Sequence, residues 1–217
     1  MSGLFITLEG TEGGGKSTQI ALLADRLRKL GHRPRLLREP GGTPIGEEIR
    51  HLLKHSESNR LMMPETELLL MNASRAQLVR EVIQPALAAG EIVLSDRFHD
   101  STTAYQGYGR QLDLALVRSV IGFAIGPLRP HLTLLLCVPT TVSEARRQAR
   151  QASTAGPRDR FEEADRTFFE RVERGFLHIA EAEPERVKLV DATRSIDAVH
   201  DDIWRHVAVQ LNPLDEG

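Results

Sequence analysis

Eight residues, Gly10-Thr11-Glu12-Gly13-Gly14-Gly15-Lys16-Ser17, restrict the fold more than any other stretch of the chain. They satisfy the pattern G-x-x-x-x-G-K-[ST], in which glycines let backbone N–H groups converge on phosphate oxygens at a helix start, where the dipole favours negative charge. The flanks supply the setting that this pattern needs. Leu4 to Leu8 is an apolar run suited to a buried strand, and Ile20, Leu23, Ala24, Leu27 and Leu30 recur at helical spacing before Gly31, a residue suited to a left-handed cap. Strand, loop and helix together form a cradle for a nucleoside triphosphate. Gly10 to Ser17 with Thr18 would surround the phosphates, Lys16 would reach the β/γ oxygens, and Ser17 would ligate Mg²⁺.

The remaining pattern alternates strands and helices. Arg35–Arg38 reads as a second strand ending at the Pro/Gly-rich turn Glu39–Pro44, and 45–53 as a helix followed by a surface loop over 55–64. A long apolar-rich helix is expected over 65–89, kinked or ended at Pro85 unless a new turn starts there. Ile92–Leu94 reads as a third strand ending at Ser95-Asp96-Arg97. Asp113 can cap a helix over 114–124, and Leu132–Val138 is the continuous apolar run of a central parallel strand. Helices over 142–151, 165–182 and 196–211 and a fifth strand at 186–190 complete the series, with a frayed tail over 212–217. The expected architecture is a single P-loop α/β/α sandwich, residues 1–217, with a five-stranded parallel sheet and a movable helical flap at about 146–162. In such a sheet the strand ends face the ligand crevice, so Asp96 can hold Mg²⁺ and Arg97 can grip a second phosphate.

Composition narrows the class. A formal net charge of −2 lacks the basic excess of a general nucleic-acid binder, so the expected partners are small molecules. Of the 28 basic residues only Lys16, Lys29, Lys54 and Lys188 are lysines; the rest are guanidinium groups suited to bidentate phosphate contacts. One cysteine, Cys137, lies within an apolar run and reads as buried filler, in keeping with a reducing cytoplasm. No run approaches the roughly 20 apolar residues of a membrane span. None of the eight histidines has metal-ligand spacing, and His99 is read as a surface histidine.

A triphosphate cradle does not by itself specify an acceptor. Arg38-Glu39-Pro40-Gly41-Gly42-Thr43, Asp96-Arg97-Phe98, Ser101-Thr102 and Ala104-Tyr105-Gln106-Gly107 occur in the order typical of bacterial thymidylate kinases. The likeness extends to Asp159-Arg160-Phe161-Glu162 and Val190-Asp191-Ala192, hence over nearly the whole chain. This resemblance implies transfer of the γ-phosphoryl of ATP to dTMP with Mg²⁺, and a homodimer packed through long helices that include residues 65–89. It also implies roles. Arg38 and Arg97 match arginines that hold the acceptor phosphate, Glu12 an acidic residue that meets the 3′-hydroxyl, and Tyr105 a tyrosine packed against the sugar. Arg75 matches a base-reading arginine, Thr102 a small polar group at the pyrimidine edge, and Gln106 shares that turn. Ala192 falls in the nucleotide-facing strand end. A loop with an acidic Glu12 resembles the type whose catalytic arginine comes from the flap, which nominates Arg150 first, then Arg146, Arg158 and Arg160.

Two departures stand out. Met71 occupies the position of a phenylalanine that stacks on thymine, so it would pack through a polarizable sulfur without an aromatic face. His131 and Cys137 replace aspartates of the family's strand. The alternatives are another nucleoside monophosphate kinase, or a nucleotide-dependent interaction protein whose output is conformational.

Overall fold

The apolar run ahead of the glycine-rich loop forms strand β1 (Leu4–Glu9), buried at every residue. A strand covered on both faces belongs at the centre of a parallel sheet. In the computed structural model, which describes residues 3–153 and 165–215 with the side chains of 150–153 and 212–215 excepted, β1 lies between β3 (Ile92–Asp96) and β4 (Leu132–Cys137). Leu4 is opposite Ile92, and Ile6 is opposite Leu132. Strands β2 (Pro34–Arg38) and β5 (Val187–Asp191) form the edges, giving the all-parallel order β2-β3-β1-β4-β5.

Helices cover both faces. Helices α1 (Lys16–Lys29) and α9 (Ile196–Asp215) close one face, where Leu23 and Leu27 meet Leu4, Ile6, Ile203 and Val207. The other face carries α3 (Pro64–Leu78), α4 (Gln84–Ala88) and α6 (Leu114–Ile125), joined to the sheet through Phe5, Leu78, Ile83, Val93 and Val117. Beside them α8 (Arg166–Ala182) packs Phe168, Phe169 and Phe176 against Tyr105 and Leu135. After β1 the chain crosses through α1 on one face; after β4 it continues through α7 (Thr140–Ser153) and α8 on the other. The carboxyl ends of β1 and β4 therefore flank a point where connections diverge, which is where open α/β sheets bind ligands.

Several local expectations change. At Pro85 the alternative of a new helical turn holds: the proline lies on the first turn of α4, which α3 reaches through a π-helical turn, Val79–Ile83. That turn lies where the proline ring and missing N–H would otherwise conflict with the carbonyl of Glu81, four residues earlier. Residues 55–64, expected as loop, contain a 3₁₀ turn (Glu57–Leu61) after α2 (Pro44–Lys54); Asn59 anchors it by donating to the Leu53 carbonyl at 3.1 Å. The turn expected after Arg97 is helical, α5 (His99–Thr102) running into a π-helical stretch, Thr103–Gly109. Helix α9 continues to Asp215, so helical backbone replaces most of the expected frayed tail. His99 is buried rather than on the surface; its Nδ1 lies 3.3 Å from Asp100, and burial pulls its pKa down to about 4. Asp113 caps α6 as expected, accepting from Leu116 N at 2.8 Å.

Candidate active site

The glycine-rich loop needs its glycines for two different reasons. Gly10 has φ 130°, and a Cβ there would stand 2.5 Å from the Leu136 carbonyl oxygen, so only glycine lets the loop leave β1 this close to β4. Gly13 and Gly15 take left-handed backbones, φ 78° and 85°, immediately before α1 begins at Lys16. The positive end of a 14-residue helix is thereby aimed at the loop. Lys16 Nζ donates to the carbonyls of Gly10 (3.1 Å) and Thr11 (2.8 Å), and burial, reinforced by Arg97, lowers its pKa to about 8. Ser17 Oγ donates to Asp96 Oδ2 at 3.1 Å, which joins the helix start to the end of β3. Thr11 turns the other way, lining a groove with Leu135, Cys137 and Leu189.

A cleft of about 610 Å³ opens in front of this loop. Lys16, Arg38, Arg50, Lys54, Arg97 and Arg146 supply positive charge to it, and Glu12, Glu39 and Asp96 negative charge; Gly13, Gly15, Ser17 and Thr18 complete the wall. Six cations against three carboxylates, in a crevice beside a phosphate-type loop, suit a polyanion. Arg50 and Lys54 were not singled out by sequence, since on α2 they read as ordinary solvated helix charges. Arg38 is held half-exposed at the mouth by Glu47 (2.9 Å) and the Pro40 carbonyl (3.2 Å), and Arg50 donates to the same carbonyl at 2.8 Å.

Arg97 is the hub. Its Nη1 donates to the Gly10 carbonyl (3.0 Å) and Ser101 Oγ (2.9 Å), its Nη2 to Glu12 Oε1 (2.9 Å) and the Tyr105 hydroxyl (3.1 Å). Burial alone would raise the Glu12 carboxyl, but Arg97, Lys16 and Lys54 overcome it and hold Glu12 far below the usual carboxylate range. Burial pushes the Tyr105 phenol up to about 12, with Glu12 adding to the rise. Beneath Arg97, Glu9 is fully buried and accepts from Phe98 N (2.7 Å), Ser101 N (3.3 Å) and Ser101 Oγ (2.5 Å). Burial, then the nearby Asp100 charge, raises its pKa to about 7 against the opposing pull of Arg97.

A second, narrower cleft of about 40 Å³ continues from Arg97 into the core. Glu12, Met71, Arg75, Arg97, Thr102, Tyr105 and Gln106 all line it, so the residues nominated for the acceptor converge, apart from Arg38 at the outer mouth. Arg75 is almost wholly buried, with Nε donating to Glu39 (2.8 Å), Nη1 to Asn72 (3.0 Å) and Thr102 Oγ1 (2.8 Å), and Nη2 to the Phe98 carbonyl (3.1 Å). Burial raises the Glu39 carboxyl against the pull of Arg75. Gln106 Nε2 donates to Glu67 at 2.8 Å. Sequence reading missed Glu9, Glu39 and Glu67 as parts of this site; their partners lie 36 to 92 residues away along the chain, and no spacing rule connects them.

The first half of α7 is fastened to the loop. Ser143 Oγ donates to the Glu12 carbonyl at 2.6 Å, and Arg146 bridges the Gly13 carbonyl (3.3 Å) and the Ala192 carbonyl beyond β5 (3.1 Å). Arg146 thus ties Ala192 to the loop. The Arg150 side chain, together with Arg158 and Arg160, lies outside the described residues. Among the described residues no group of three His, Cys, Asp or Glu side chains could hold a metal ion, and no helix is long and apolar enough to cross a membrane.

The family model for thymidylate kinase matches residues 8–203. Among curated relatives, a thymidylate kinase from Syntrophotalea carbinolica is 50% identical over 209 residues, 96% of each chain. One from Deinococcus radiodurans is 48% identical over 206 residues, 95% of this chain and 97% of its own. The crystal structure of thymidylate kinase from Ehrlichia chaffeensis superposes with a TM-score of 0.75 at 31% identity, covering 96% of this chain and 99% of that one.

Proposed function

From the premise that this chain belongs to the thymidylate kinase family, we propose that it transfers the γ-phosphoryl of ATP to dTMP, giving ADP and dTDP, and that the two clefts divide the substrates. The observation that carries this division is the Arg97 hub. It joins the triphosphate loop, through the Gly10 carbonyl and Glu12, to the inner cleft, through Ser101 and Tyr105. One guanidinium can therefore meet the acceptor phosphate while it is anchored to the donor's cradle.

Phosphoryl transfer depends chiefly on positioning and on neutralising oxygen charge. In this reading Gly10 to Thr18 cradle the ATP phosphates and Lys16 leaves its carbonyl partners for the β/γ oxygens. Arg38 and Arg97 take the dTMP phosphate, Glu12 the 3′-hydroxyl, and Tyr105 the face of the sugar. Met71, Arg75, Thr102 and Gln106 surround the base. Ser17 Oγ and Asp96 Oδ2 are hard oxygen donors 3.1 Å apart at the foot of the loop, which suits Mg²⁺, an ion that needs few protein ligands because substrate phosphates and water fill its shell. Held there by Ser17 and Asp96, Mg²⁺ would supply charge neutralisation to the phosphates. Arg146 and the flap arginines Arg150, Arg158 and Arg160 are the groups assigned to the transferring phosphoryl.

Two finer points belong to the same proposal. The protein works as a homodimer, through a face where α6 leaves Leu116 and Phe123 exposed and the neighbouring α3 leaves Leu69 exposed; Phe123 is 86% exposed. Its compartment is the cytoplasm, in keeping with the free thiol of Cys137.

Steady-state kinetics of Arg97→Ala test the assignment. Losing a cation that touches both substrates should cost about a hundredfold or more in kcat/KM for dTMP. A variant with wild-type KM and kcat would remove Arg97 from the mechanism.

A further inference from the structure

Glu67, on the first turn of α3, is fully buried, yet no element of the mechanism above uses it. Its carboxylate accepts from Gln106 Nε2 (2.8 Å) and, through both oxygens, from Arg110 Nε (3.2 Å) and Nη2 (3.0 Å). An ion-paired carboxylate has no proton to give, so the Gln106 amide must point its NH₂ end at Glu67. The amide oxygen is then the end left for the inner cleft, which Gln106 lines, and no described residue donates to it. Without Glu67 the amide could turn over at little cost, since its two ends have nearly the same shape.

We propose that Glu67, braced by Arg110, is a specificity-positioning residue that locks Gln106 with its carbonyl oxygen toward the base and so selects a pyrimidine bearing N–H at position 3. The inference rests on the reading of the inner cleft as the dTMP site. A thymine or uracil ring offers that N–H between two carbonyls; a cytosine ring offers a lone pair, which would face another lone pair across a desolvated gap. A buried acceptor left without a donor discriminates strongly against the wrong base. Arg110 supplies the second half of the device. It grips both carboxylate oxygens of Glu67, with its own guanidinium 4.6 Å from the Phe168 ring centroid.

The test compares kcat/KM for dTMP and dCMP in the full chain. Wild type sets the premise: a protein that does not prefer dTMP refutes the acceptor assignment itself, whatever Glu67 does. In Glu67→Gln the partner can donate as well as accept, Gln106 is released, and the dTMP-to-dCMP ratio falls by about tenfold or more, through KM rather than kcat. Leu68→Ala, buried next to it on the same helix, lowers stability and leaves the ratio in place. Gln106→Met lowers the ratio by the same route, and adding Glu67→Gln to it causes no further fall; independent, additive falls would show that Glu67 does not act through Gln106. Should Glu67→Gln not fold, Glu67→Asp withdraws the carboxylate by one methylene and carries the same expectation. An unchanged ratio in the folded Glu67 variant, with wild type preferring dTMP, overturns the proposal.

Discussion

Arg97 sits in a left-handed backbone, φ 73°, a conformation that costs a residue with a Cβ about 1–2 kcal/mol. The surroundings hold it there: Arg97 N donates to the Leu8 carbonyl (3.0 Å), its own carbonyl accepts from Ser95 Oγ (2.8 Å), and the next N–H is taken by Glu9 (2.7 Å). The strain aims the guanidinium into the crevice instead of along β3. Met71 illustrates the opposite case, a residue at the site that supplies bulk without orientation. Base–aromatic stacking is worth about 1–3 kcal/mol, part of which a thioether already recovers. Met71→Phe should therefore lower KM for dTMP by about threefold to tenfold with kcat little changed. Isothermal titration with dTMP checks this, and weaker binding would show that the pocket is shaped to methionine.

At the scale of elements, the loop and the five strands were legible because each is a local pattern. Gly10 to Ser17 is contiguous, and Leu132 to Cys137 is apolar at nearly every residue. The helical stretch His99–Gly109 was not legible, since its polar residues face a cleft and its π spacing matches neither common period. What fastens that stretch is Glu9, whose partner Ser101 lies 92 residues on. This clamp has a pH signature. Burial raises the folded-state pKa of Glu9 from 4.5 to about 7, so between those values the native state holds a proton that the unfolded chain has released. Stability contributed by this group is present below pH 4.5 and declines as pH rises through 7. Denaturant unfolding from pH 5 to 8 should show the wild type losing on the order of 1–3 kcal/mol relative to Glu9→Gln. Parallel profiles for the two proteins would mean that Glu9 does not titrate in this window.

For the whole molecule, the sheet order brings the loop after β1 together with the carboxyl ends of β3 and β2, so the two clefts adjoin there and share Glu12, Glu39, Lys54 and Arg97. The apolar stripe on α6 concerns a different surface. If it is the homodimer face, Phe123→Glu should convert the protein to monomers in sedimentation velocity at micromolar concentration, with about the wild-type melting temperature for the isolated fold. A wild type that is already monomeric there would remove the dimer from the proposal. Resemblance in sequence implied the acceptor, and Glu12, Arg75, Thr102, Tyr105 and Gln106 line one cleft. The central claim is that this cleft takes dTMP and that its occupation licenses transfer. ADP release from ATP and Mg²⁺ should be measured with dTMP, UMP, CMP, AMP or no acceptor. Release should depend on dTMP, with kcat/KM about a hundredfold or more above any other acceptor; equal release with every acceptor, or with none, would contradict it.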